Sequence, residues 1–243
     1  MTQLAAINGL GGLEYLWDPF RAALPGSVAL RVLDLPGHGE RPPAADYRYS
    51  AMVDDAAART ADLEPFPLLG WSVGAAVAWL FAARHQERVT RLVLLDPAAP
   101  HQSPFIHGQP VKPVHAYTFA SVQEAMEVMR SIDPTTTEAD VLAGHRENAE
   151  GRWEPRYDPA ILPVLVEEAR DHGEELYLEL KQVRAPTLIL HGERSFLRPE
   201  QLAEITAALT DVRVEMVPGA GHFLVREQPE TVARLVLEFL DTT

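Results

Sequence analysis

Gly70-Trp71-Ser72-Val73-Gly74 is the segment of this 243-residue chain whose residue types and spacing point most directly to chemistry. It joins a short β-rich run to an Ala-rich helical run. In that context a G-x-S-x-G turn bends sharply and lifts the serine hydroxyl clear of a sheet edge, as a nucleophile requires. The flanking glycines remove side chains that would collide in so tight a turn. Ala75, Ala76 and Ala78 keep the following helix slim enough to approach a sheet, and its N-terminus favours negative charge developing near Ser72. A Gly-rich strand-to-helix turn with an N-capping serine has the same composition, so the motif takes its meaning from its surroundings.

Composition excludes several other chemistries. The chain has no cysteine, hence no thiolate nucleophile, no disulfide and no Cys-ligated metal. No two of its histidines have H-x-x-x-H spacing, and neither a metal nor a cofactor is expected. His38 falls in a turn, His191 ends a strand, and His101, His107 and His115 lie in the middle of the chain. A net charge of −14 without any basic run argues against nucleic acid and against anionic membrane surfaces. No apolar run is long enough to span a bilayer. The first residues have no basic leader region, so a cytoplasmic address is the default expectation. The partner these features favour is a small neutral molecule.

Strand-like and amphipathic runs alternate along the first 95 residues, the pattern of a parallel sheet covered by helices. Strands are expected at 4–7, 28–33, 67–70 and 91–95, with helices near 15–24, 50–63 and 73–85. From about 97 to 183 no strand is expected. Helices near 122–132, 138–148, 160–171 and 174–182 fill that stretch instead. The alternation resumes with strands at 186–190 and 212–217 and helices at 199–209 and 229–240. The fold class is therefore α/β with six mostly parallel strands. Its core comprises residues 1–99 and 184–243, interrupted by a helical insertion at 100–183.

Along nearly its whole length the chain resembles an α/β-hydrolase, and within that superfamily a short carboxylesterase-like member. The resemblance rests on Gly70–Gly74, on Asp34-Leu35-Pro36-Gly37-His38-Gly39, and on Gly219-Ala220-Gly221-His222-Phe223-Leu224, which occur in the family's order. It implies that the 100–183 insertion is a cap and that His222 is the general base for Ser72. An imidazole suits that role near neutral pH. It also implies an oxyanion hole made by the backbone N–H groups of Leu10 and Val73. Donors fixed by a Gly-rich turn and a helix start need no reorganisation as charge develops. The chain begins directly at the strand before the oxyanion loop, and Asn8 stands where many members carry His in a His-Gly pair.

The triad acid departs from the family pattern. After the strand at 186–190 the chain reads His191-Gly192-Glu193-Arg194-Ser195-Phe196-Leu197, without an Asp. Three explanations compete. The acid has moved to Asp96, at the end of the preceding strand; or Glu193 reaches the imidazole from the usual loop; or no acid remains. Asp96 keeps the order Ser…Asp…His and is the favoured choice, although it could equally brace the turn before Pro97. The function that follows is hydrolysis of a small neutral carboxylic ester or lactone through an acyl-enzyme on Ser72. A same-fold lyase or synthase, or a non-catalytic ligand-binding protein, is the alternative. Trp71 is expected to line the substrate pocket. Phe105, Tyr117, Phe119, Met126, Met129 and Trp153 are further candidates for its apolar wall.

Overall fold

The structure, a computed structural model, describes residues 2–97, 99–102, 118–131, 133–195 and 197–241. Six strands form one sheet: β1 (Thr2–Ile7), β2 (Val28–Leu33), β3 (Phe66–Trp71), β4 (Val89–Leu95), β7 (Thr187–Gly192) and β8 (Val212–Val217). Their order is β2-β1-β3-β4-β7-β8, and every pairing is parallel. The central strands are apolar at successive positions because both sheet faces are covered. Ile7, Leu68, Leu92, Leu94 and Ile189 pack toward α2 (Tyr49–Arg59), α3 (Val73–Arg84) and α6 (Ile161–Leu180). Leu4, Leu69, Val93, Leu95, Leu188 and Leu190 pack instead with residues of α1 (Asp18–Ala23) and α9 (Pro229–Leu240).

Between β4 and β7 the described residues hold α4 (Val122–Arg130), α5 (Glu138–Gly144), a short antiparallel hairpin and α6. The hairpin pairs β5 (His145–Glu147) with β6 (Trp153–Pro155), so a helix continuing to 148 and a stretch without strands are both incorrect. The cause is the turn. Asn148 Oδ1 accepts from the Glu150 and Arg152 N–H groups, each at 3.0 Å, and Gly151 takes φ 71°. The two helices expected on either side of Gly173 are one helix. A Cβ at Gly173 would lie 2.8 Å from the His101 backbone, so this glycine permits close packing and does not break α6. Phe119, Ala125, Met126 and Val141 form a separate small apolar cluster beneath α4 and α5. Phe105, Tyr117, His107, His115 and Phe196 lie outside the described residues.

In such a sheet the loops following the strands gather at one edge. A crevice opens there between neighbouring strands whose connections run in opposite directions. Here those strands are β1 and β3, and the crevice separates the loop after Ile7 from the turn after Trp71. The closest approach across it belongs to Gly74, whose Cβ, if present, would overlap the carbonyl oxygens of Ile7 and Asn8. Gly74→Ala is therefore expected to cost about 1–3 kcal/mol, read as a lower urea midpoint with an unchanged slope.

Candidate active site

Ser72 sits between β3 and α3 at φ 57° and ψ −121°, a conformation that L-residues rarely adopt. Hydrogen bonds on both sides hold it there. Ser72 N–H donates to the Leu95 carbonyl at 3.0 Å, and Ala75 N–H to the Ser72 carbonyl at 3.0 Å. Gly70 allows α3 to start this close to the sheet, since a Cβ there would come within 2.6 Å of Ala78 Cβ. Ala75, Ala76 and Ala78 are fully buried beneath the turn.

Asp96 follows the end of β4 in a second left-handed conformation, φ 46°. Its N–H donates to Leu190 at 2.8 Å, and its side chain is buried. Its Oδ2 lies 2.5 Å from Nδ1 of His222. A carboxylate at that distance accepts a hydrogen bond from Nδ1–H, which leaves Nε2 as the ring's acceptor. Glu193 is placed elsewhere. Its backbone continues the β7–β8 pairing through a bond to the Val217 carbonyl, and its exposed carboxylate accepts from Gly219 N–H at 2.8 Å.

His222 is held from three directions. Its ring packs on Trp71, the residue before Ser72, with centroids 5.2 Å apart. Its carbonyl accepts from the Trp71 indole at 2.8 Å. Glu227, which sequence reasoning passed over, brackets it: one carboxylate oxygen accepts from Gly221 N–H at 2.9 Å, the other from Phe223 N–H at 3.1 Å. Glu227 lies five residues beyond His222 in a short helix, α8 (Leu224–Glu227), and its side chain is only 5% exposed. Nothing in its spacing distinguishes it from a surface glutamate, because the bonds form only once the loop has folded back.

The loop after β1 lies against the serine. A Cβ at Gly9 would come within 2.9 Å of Ser72 Cβ. Gly12 N–H closes a tight turn onto the Gly9 carbonyl at 3.0 Å, with Gly11 at φ 73°, the value a type II turn demands of its third residue. Neither Leu10 N–H nor Val73 N–H finds an acceptor among the described residues. Asn8 turns inward, fully buried. Its Oδ1 accepts from the Trp17 indole and its Nδ2 donates to Asp34, both at 2.7 Å. Burial raises the Asp34 carboxyl above its usual range, and the Asn8 bond opposes that rise. Asn8 thus anchors the loop instead of facing the serine. His38, read from sequence as a turn residue, is also fully buried.

Leu10, Trp71 and Phe223 line a cleft together with Asp133, Asp140 and Arg226. Arg226 bonds Asp140 at 2.7 Å and lies 3.5 Å from Asp133. The Tyr15 hydroxyl donates to the Asp140 carbonyl at 3.1 Å; burial, then the Asp140 charge, pushes its pKa up to about 12. Met129 also lines the cleft, whereas Phe119 and Met126 are packed within the small cluster, with Trp153 against it. Among the described residues no group of three His, Asp or Glu side chains is placed to hold a metal ion, and no helix is long and apolar enough to cross a membrane. The short His222–Asp96 contact has a spectroscopic consequence. Proton NMR should show the Nδ1–H resonance far downfield; Asp96→Asn should remove it and Glu193→Gln should not.

Three comparisons bear on this arrangement. The family model described as alpha/beta hydrolase family matches residues 6–235. The chain is 26% identical to the pimeloyl-[acyl-carrier protein] methyl ester esterase of Neisseria meningitidis serogroup C, over 97% of this chain and 92% of that protein. It is 25% identical to the 2-(acetamidomethylene)succinate hydrolase of Mesorhizobium japonicum, over 96% and 86%. Among solved structures, the thioesterase domain from the curacin biosynthetic pathway superposes with a TM-score of 0.78 at 22% identity, covering 98% of this chain and 91% of that one. The strand order, the bent serine junction and the matched family model lead to one conclusion: the chain belongs to the alpha/beta hydrolase family.

Proposed function

We propose that the protein is a serine hydrolase that cleaves a small neutral carboxylic ester or lactone through an acyl-enzyme on Ser72. The observation that carries this reading is the Asp96 carboxylate on Nδ1 of His222, a ring packed against the residue that precedes the strained serine. Nε2 of His222 accepts the Ser72 proton as Oγ attacks the ester carbonyl. The resulting oxyanion is received by the N–H groups of Leu10 and Val73. The imidazolium, stabilised by Asp96, returns its proton to the departing alcohol. Water then attacks the acyl-serine, with His222 again as base, and releases the acid. Hydrolysis of esters by relatives that span nearly the whole chain supports the same chemistry.

The insertion at 100–183 serves as the cap, with Trp71, Met129 and Phe223 supplying apolar surface toward the substrate. Charge narrows the substrate class. Among the described residues the cleft carries two carboxylates, Asp133 and Asp140, against the single guanidinium of Arg226, and both carboxylates already draw on it. A substrate bearing a free carboxylate would meet, among the described residues, an excess of negative charge and no cation that is not already paired, whereas an uncharged acyl chain meets no such penalty.

A fluorophosphonate should label the protein at Ser72. Ser72→Ala should abolish labelling and hydrolysis of p-nitrophenyl esters, and persistent hydrolysis in that variant would remove the proposal. Asp96→Asn should lower kcat by up to about 10⁴-fold, as loss of tautomer control does in other triads, while Glu193→Gln leaves activity intact. In a series of esters of equal chain length, replacing a terminal methyl by a carboxylate should reduce kcat/KM by about tenfold or more. Equal rates would show that the cleft charges do not face the substrate.

A further inference from the structure

His38 lies within a segment that sequence analysis treats as a turn, yet none of its surface is exposed. Both ring nitrogens face backbone. Nδ1 is 3.0 Å from the Pro36 carbonyl, which can only accept, so Nδ1 carries the proton. Nε2 is therefore an acceptor, and Gly11 N–H donates to it at 2.9 Å. The ring stacks on Tyr157, with centroids 5.2 Å apart and planes 19° from parallel. The backbones on either side are tied to the same neighbouring segment: Gly39 N–H donates to Arg156 at 2.7 Å, and Asp158 N–H to Gly37 at 2.8 Å. The imidazole is thus fixed in place and tautomer before any substrate arrives.

Its hydrogen bond to the loop after β1 falls at a mechanically sensitive point. Leu10 and Gly11 are the two central residues of the Gly9–Gly12 turn, and the peptide between them is the part of a β-turn that flips most readily. Capturing the Gly11 N–H fixes that peptide and the ψ angle of Leu10, and together with the Gly12-to-Gly9 bond it holds the tip of the loop that presents the Leu10 N–H. We propose that His38 is a positioning residue for the oxyanion hole: by accepting the Gly11 N–H it holds the Leu10 N–H in line with the carbonyl under attack at Ser72. This rests on the hydrolase reading above, in which Leu10 is a donor to the oxyanion. His38 does not touch the substrate in this role. Removing its acceptor leaves a part-buried N–H without its partner and frees the tip of the loop to shift, carrying the Leu10 N–H out of line.

The test compares His38→Phe, which keeps a flat ring against Tyr157 but offers no acceptor, with His38→Gln, whose amide oxygen can reach the Gly11 N–H. For p-nitrophenyl ester hydrolysis, His38→Phe should lower kcat by about 10- to 100-fold, short of the roughly 10²–10³ caused by losing an oxyanion donor outright, with KM changed far less. His38→Gln should recover most of that loss. Affinity for a boronic acid, which places a tetrahedral oxygen in the hole, should fall in His38→Phe in parallel with kcat. A folded His38→Phe with wild-type kcat and boronate affinity overturns the proposal, as does a His38→Gln no better than His38→Phe.

NMR on the wild-type protein requires no variant to fold. A through-hydrogen-bond coupling between Gly11 N–H and His38 Nε2, with the proton on Nδ1, is expected, and its absence overturns the proposal. Failure of the hydrolase reading would look different: no labelling and no turnover in the wild type, with that coupling still present.

Discussion

The arrangement depends on how closely the start of α3 can press against the end of β1. Gly74 lies directly on the carbonyls of Ile7 and Asn8, and Gly9 lies on Ser72. At this distance the serine and the loop beside it pack directly against each other, with no room for a side chain at Gly9 or Gly74. The strain at Ser72 and Asp96, of the order of 1–3 kcal/mol each, persists because parallel strands on both sides hold their backbones. A looser core would let both residues relax to ordinary φ values and move the Asp96 carboxylate off His222.

The polar groups around this junction form a layered support. Asn8, tied to Trp17 and Asp34, anchors the base of the first loop, and His38 holds its tip. Glu227 grips the backbone on both sides of His222, and the Trp71 indole grips its carbonyl. These bonds are buried or partly buried, where an unmatched donor costs more than on the surface, so each fixes geometry more firmly than its net energy suggests. The chain's large negative charge thus coexists with a site in which each carboxylate around His222 has an assigned donor or cation.

Much of the scaffold was legible before folding because it follows from local rules. Period and composition marked the six strands, the glycines marked the bent junction, and the spacing of motifs pointed to Ser72 and His222. The errors also have local causes. Two helices are expected at 160–171 and 174–182 where one runs through, because the close packing of Gly173 on His101 cannot be seen in the sequence. The helix expected to 148 stops earlier because the turn from Asn148 to Gly151 closes a hairpin.

The residue types alone determined that a serine stood at a G-x-S-x-G turn, that no thiolate was present, and which carboxylates lay between it and His222 in chain order. They left Asp96 and Glu193 both open, since each follows a strand on the same sheet edge. Tertiary structure separated them. A left-handed turn directs Asp96 inward to His222, while continued pairing with β8 carries Glu193 outward to Gly219. His38 and Glu227 took their places in the same way, through bonds to backbone groups far away in sequence. Such bonds depend on the direction in which a folded loop points its N–H groups, and that direction is set only once the sheet has brought the loops together.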